Sequence, residues 1–104
     1  MELDLLNLDN DQINEIRWGL QAGVDVTLYS TPEFDRYQME ECRLGLEHKV
    51  DITCYRNPEL NWEQMEQCRL GLEHKVDASK YAKPEYSAET MSHYRALLEA
   101  GVKL

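Results

Sequence analysis

The sequence predicts an all-α protein, a short α-solenoid of four helix-plus-connector repeats with the main helices roughly parallel. Three observations predict it. A fourteen-residue phrase is written twice: Gln38 to Asp51 reads Q-M-E-E-C-R-L-G-L-E-H-K-V-D, and Gln64 to Asp77 differs at one letter, Glu41 against Gln67. Shifting the chain by the same twenty-six residues brings out four copies, which start at Gln12, Gln38, Gln64 and Thr90. The inner two are near-identical and the outer two diverge, as in arrays with adapted ends. Every copy also opens with the chemistry of a helix start, in register.

Each helix is expected to begin at a cap. Asp9, Asp35, Asn61 and Ser87 stand three residues ahead of Gln12, Gln38, Gln64 and Thr90. Asp or Asn followed by Gln at that spacing is a capping box, in which each side chain satisfies a free backbone N–H. Leu8, Phe34, Leu60 and Tyr86 precede the caps, and Ile13, Met39, Met65 and Met91 hold the fourth helical position. That pairing is a hydrophobic staple. Helices then run over about 10–22, 36–48, 62–74 and 88–100. Their apolar stripes keep helical spacing: Ile13, Ile16, Leu20; Met39, Cys42, Leu46; Met65, Cys68, Leu72; Met91, Tyr94, Leu98. Gly23 and Gly101 fit the left-handed position just past a helix end. Lys49 and Lys75 take that position in the inner copies, at a backbone cost.

A connector of about a dozen residues lies between successive helices, with Val-Asp, Thr or Ser, Tyr, and then Pro-Glu. Pro32, Pro58 and Pro84 forbid a continuous helix. A short helical or 3₁₀ turn is expected near 27–30, 53–56 and 79–82. The N-terminal tail reads as a degenerate connector, with Leu3 at the Tyr29 register and Leu8 at the Phe34 register. A helix of this length spans roughly 20 Å at about 1.5 Å per residue, which such a connector can return. Gly19, Gly45 and Gly71 sit mid-helix, where glycine costs up to about 1 kcal/mol. The expectation is that they face the next repeat, and that Leu97, at the same position in the last copy, covers an end.

Length and composition bound the rest. The 104 residues are one domain's worth, read as a single helical-repeat domain over 1–104. No run of about 18 apolar residues exists, so no membrane span is expected. The acidic start M-E-L-D-L-L-N-L-D-N is unlike a signal peptide, and the expected location is cytoplasmic. Cys42, Cys54 and Cys68 are odd in number and lack C-x-x-C spacing, which argues against a disulfide framework. A net charge of −9 favours basic partners and disfavours direct binding to nucleic acid or an anionic membrane.

Arg17, Arg43, Arg69 and Arg95 recur in every copy. They are expected to tie each helix to connector carbonyls or to Asp25, Asp51 and Asp77, with a row of forks for phosphates or carboxylates as the weaker reading. His48 and His74 sit at helix ends and are expected to complement the dipole; one repeat apart, at roughly 9–10 Å, they are too distant for one metal ion. Cys42 and Cys68 hold core positions. No nucleophile elbow, phosphate-binding loop or zinc-protease motif is present. The expectation is a non-enzymatic protein with no cofactor and no metal.

The pattern Q-M-x-x-[IC]-R-x-G-L-x-x-x-V-D-[VI]-[ST]-x-Y-x-x-P-x-[FL] resembles a short tandem repeat of proteins from gut Firmicutes and from their phages and mobile elements. The resemblance runs from about Asp9 to Leu104 and implies a bacterial or phage origin. Lys49 and Lys75 depart from it, since glycine is more usual there. It assigns no functional residue.

What remains is surface. Glu15, Glu40, Glu41, Glu47, Glu66, Glu73 and Glu99 are expected on exposed helix faces, as an acidic ladder. The favoured reading is a module that binds another protein through Glu40, Glu41, Glu47, Glu66, Glu73, Tyr37 and Trp62. A basic surface on the partner would suit it. The alternative is an anti-defence inhibitor whose carboxylates imitate nucleic acid and block a nucleic-acid enzyme. Self-assembly through open solenoid ends is a third reading.

Overall fold

A computed structural model describes residues 5–104, and the expectation for Leu3 lies outside that range. The described residues form four α-helices and no strand: α1 (Asn10–Ala22), α2 (Arg36–Glu47), α3 (Trp62–Glu73) and α4 (Ala88–Glu99). Three of these end one residue before the expected limit. The 3₁₀ turns lie at Val26–Leu28, Ile52–Cys54 and Ala78–Lys80, about one residue earlier than expected. No helix among the described residues is long and apolar enough to cross a membrane.

The helix starts follow from their caps. Asp9, Asp35 and Asn61 accept from the backbone N–H of Gln12, Gln38 and Gln64, and the glutamine carboxamides accept in return. Ser87 accepts from the Thr90 N–H at 3.1 Å without a return bond. The ends are equally regular. Val24, Val50, Val76 and Val102 donate to the carbonyls of Gly19, Gly45, Gly71 and Leu97, while the residues before them donate one turn back. This Schellman pattern needs a left-handed residue. Gly23 and Gly101 supply it at φ 79° and 91°; Lys49 and Lys75 accept it at 62° and 65°. The strain at the two lysines is the cost that the sequence implied.

Each connector folds back on the helix before it. Asp25, Asp51 and Asp77 accept from Thr27, Thr53 and Ser79, which caps the 3₁₀ turns. Tyr29, Tyr55 and Tyr81 then enter the core, fully buried. Their hydroxyls donate to the carbonyls of Glu15, Glu41 and Gln67 at 2.7–2.8 Å. This corrects the expectation for the mid-helix glycines. A Cβ on Gly19, Gly45 or Gly71 would lie 2.0–2.2 Å from the tyrosine hydroxyl of the following connector. The glycines make room for that phenol, not for the next helix. Leu97, 43% exposed, packs under no such ring.

Each helix packs against the next in the chain. Starts lie beside starts: Gln12 donates to the Phe34 carbonyl at 2.6 Å, Gln38 to Leu60 at 2.7 Å and Gln64 to Tyr86 at 2.6 Å. Ends lie beside ends: His48 meets Glu73 at 2.7 Å and His74 meets Glu99 at 2.6 Å. One glutamine side chain thus caps its own helix and holds the chain leading into the next. The core runs along this row, from Leu8 through Met39, Cys42, Met65 and Cys68 to Met91. The molecule measures 45 × 25 × 17 Å.

Candidate functional site

Tyr37 and Trp62, proposed from the sequence, come together at the starts of α2 and α3. Their rings lie 6.2 Å apart, tilted by 35°, and are 47% and 40% exposed. An exposed aromatic pair leaves a large apolar area in water, which is the material of binding hot spots. Arg36 covers one side. Its guanidinium stands 4.5 Å from the Tyr37 ring centre and donates to the phenol oxygen at 2.6 Å. That hydrogen bond, more than the neighbouring acids, holds Arg36 above its ordinary range. Asp11 of α1 lies 3.8 Å beyond Arg36. Arg36 and Asp11 were not singled out from the sequence; the adjacency of Arg36 and Tyr37 was the available signal. Glu40 and Glu66 stand one turn further along, on the faces of Tyr37 and Trp62, and both are half-buried.

The remaining acids behave differently from the expected ladder. Glu15 and Glu41 are buried, not exposed. Glu15 accepts from Arg43 at 2.7 Å and Glu41 from Arg69 at 2.7 Å. Gln67 takes the same place toward Arg95 at 3.0 Å. The one letter that separates the two phrases therefore exchanges a carboxylate for a carboxamide and keeps the acceptor. Burial raises the Glu15 and Glu41 carboxyls above their ordinary values, and the facing arginines do not fully offset it.

The same arginines reach forward within their own helices. Arg43 meets Glu47, Arg69 meets Glu73 at 2.6 Å, and Arg95 meets Glu99 at 2.8 Å. Glu73 also takes the bond from His48. Desolvation works against its charge, but His48 and Arg69 outweigh it and hold the carboxyl below its ordinary value. The expected arginine partners Asp25, Asp51 and Asp77 cap turns instead. Arg43 and Arg69 clamp successive helices with a carboxylate on each side, and Arg95 does so with the Gln67 carboxamide on one side and Glu99 on the other. Of the acids proposed for binding, Glu41, Glu47 and Glu73 are thereby partnered within the protein.

A shallow groove of about 500 Å³ opens at the helix ends, lined by His48, Lys49, Val50, Asp51, Leu72, Glu73 and Lys75. It brings together both strained lysines and the His48–Glu73 pair, but no nucleophile. All three thiols are free. Burial pushes Cys42 and Cys68 up to about 12 and Cys54 to about 11, so they stay protonated and unreactive near neutrality. No group of three or more His, Cys, Asp or Glu side chains among the described residues could hold a metal ion. Comparison with known proteins finds no family model, no curated protein and no solved structure that matches this chain.

Proposed function

We propose that the chain is a four-unit α-solenoid that works as a non-enzymatic protein-binding module in the cytoplasm, docking its partner on the Tyr37–Trp62 pair. The observation that carries this reading is the exposure of two neighbouring aromatic rings across adjacent helix starts. The recurrence of the same caps, tyrosine bonds and arginine clamps every twenty-six residues supports the solenoid. The partner presents an apolar side chain to the rings and a lysine or arginine to Glu40 and Glu66, which lie one turn away.

The nucleic-acid mimic is the second reading, supported by the net charge of −9. It needs free, regularly spaced carboxylates. Burial of Glu15 and Glu41 and the clamping of Glu47, Glu73 and Glu99 leave fewer of them. Glu40 and Glu66 are what it retains.

The test is capture of partners from a lysate of the source cells on immobilised wild type, on Tyr37→Ala/Trp62→Ala and on Glu40→Lys/Glu66→Lys, washed at low and then high salt. The module reading expects a partner that survives high salt and is lost from the aromatic variant. A nucleic-acid enzyme released by salt and lost from the charge-reversed variant would favour the mimic. Equal capture on all three would sink both.

A further inference from the structure

We propose that the upstream face of α1 is a docking surface for one further helix, supplied by a separate protein chain, that presents a carboxylate or carboxamide to Arg17. This goes beyond the Tyr37–Trp62 pair and does not depend on it. It rests on the contacts between successive helices, which the molecule displays three times over.

On α2, α3 and α4 the face turned toward the preceding helix carries an apolar residue, an arginine and a leucine: Met39–Arg43–Leu46, Met65–Arg69–Leu72 and Met91–Arg95–Leu98. The preceding helix covers each set. The three methionines are fully buried, and the arginines receive Glu15, Glu41 and Gln67. On α1 the same positions read Ile13–Arg17–Leu20. Here Ile13 is half-buried, Arg17 is exposed and turns to Asn14 of its own helix at 3.1 Å, and Leu20 is 52% exposed. The surface that receives a helix is thus present a fourth time, with its cation in place.

The occupant's chemistry follows from the three helices that already fill such a face. Each offers an oxygen acceptor at the Glu15 position. All three also offer, one turn before it, a glutamine that donates to the incoming chain. A second copy of this protein does not match. The corresponding face of α4 carries Thr90, His93 and Ala100 where α2 carries Gln38, Glu41 and His48. His93 would oppose Arg17 with a second basic group.

The test restores the missing face. The probe is the full chain with T90Q, H93E and A100H, and with R17E so that it cannot bind itself. It is mixed with wild type and followed by sedimentation velocity, after circular dichroism has established equal helix content. A 1:1 complex that weakens at least tenfold when the second chain also carries R17E supports the proposal. A folded probe that forms no complex, or one indifferent to R17E in its partner, overturns it. Self-association of wild type through Arg17 would overturn the exclusion of a second copy. Should the probe not fold, one more copy of residues 38–63 spliced ahead of Gln12 supplies the same face covalently. R17A should then lower the thermal midpoint of the spliced chain and leave the parent unchanged; an equal effect in both overturns the proposal.

Discussion

Arg69 and Arg17 occupy the same register in two helices, yet they live in different solvents. Arg69 is buried, with Glu41 on one side and Glu73 on the other, and its second acid is held in turn by His48. Burial works against its charge, but the two carboxylates outweigh that and keep it above the ordinary arginine range. Arg17 is exposed and reaches a neutral side chain one turn back. The residue is identical; the neighbouring helix decides whether it is a clamp or a solvated side chain. Repetition in a sequence therefore announces equivalent positions without making them equivalent in energy.

The sharpest way to break this comparison lies under the clamp. Tyr55→Ala removes a fully buried ring whose hydroxyl holds the Glu41 carbonyl, and should cost about 3–5 kcal/mol, the range for large aromatic truncations. Urea unfolding followed by circular dichroism reads it. A loss below about 1 kcal/mol would mean that the glycine gap at Gly45 closes without the phenol.

Next in size is the clamp itself. Arg69→Ala leaves Glu41 buried without its cation and should cost about 3 kcal/mol, while Arg17→Ala should fall within about 0.5 kcal/mol of wild type. Equal losses from the two variants would erase the distinction between the inner and outer helices.

The smallest effect is a pH dependence in the acid range, and it has two signs. Glu41 is raised in the folded protein, so its contribution is present below the ordinary carboxylate value and is lost as pH rises through the folded one. Glu73 is lowered, so its contribution is present above the ordinary value and is lost as pH falls through the folded one. Stability measured against pH should therefore fall less steeply on acidification for Glu73→Gln than for wild type, and more steeply for Glu41→Gln. Parallel curves for all three proteins would contradict both directions.

Much of this arrangement is legible in the sequence. The caps, the left-handed lysines and the short connector turns are local, each decided within a few residues, and local chemistry survives packing. The clamps were not legible, because Arg69 and Glu41 are 28 residues apart. A period of twenty-six says that Arg43 resembles Arg69. It does not say which unlike residues meet when one helix lies on the next. A hint was available in Glu15-Ile16-Arg17, Glu41-Cys42-Arg43 and Gln67-Cys68-Arg69, where an oxygen acceptor always stands two residues before the arginine. The glycines misled for a related reason. A missing side chain signals that something comes close, and here it was a tyrosine ten residues on, not a neighbouring backbone.

The double duty of Gln12, Gln38 and Gln64 bears on how the molecule comes apart. Helices fray at their ends, and at a start four N–H groups lack partners within the helix. In α1, α2 and α3 the side chain that closes the start also grips the carbonyl leading into the neighbour. No such start can open without loosening the approach to the next, so opening becomes a shared event that spreads along the row. At α4, Thr90 has no carboxamide with which to reach beyond its own cap, and that start is left to breathe by itself.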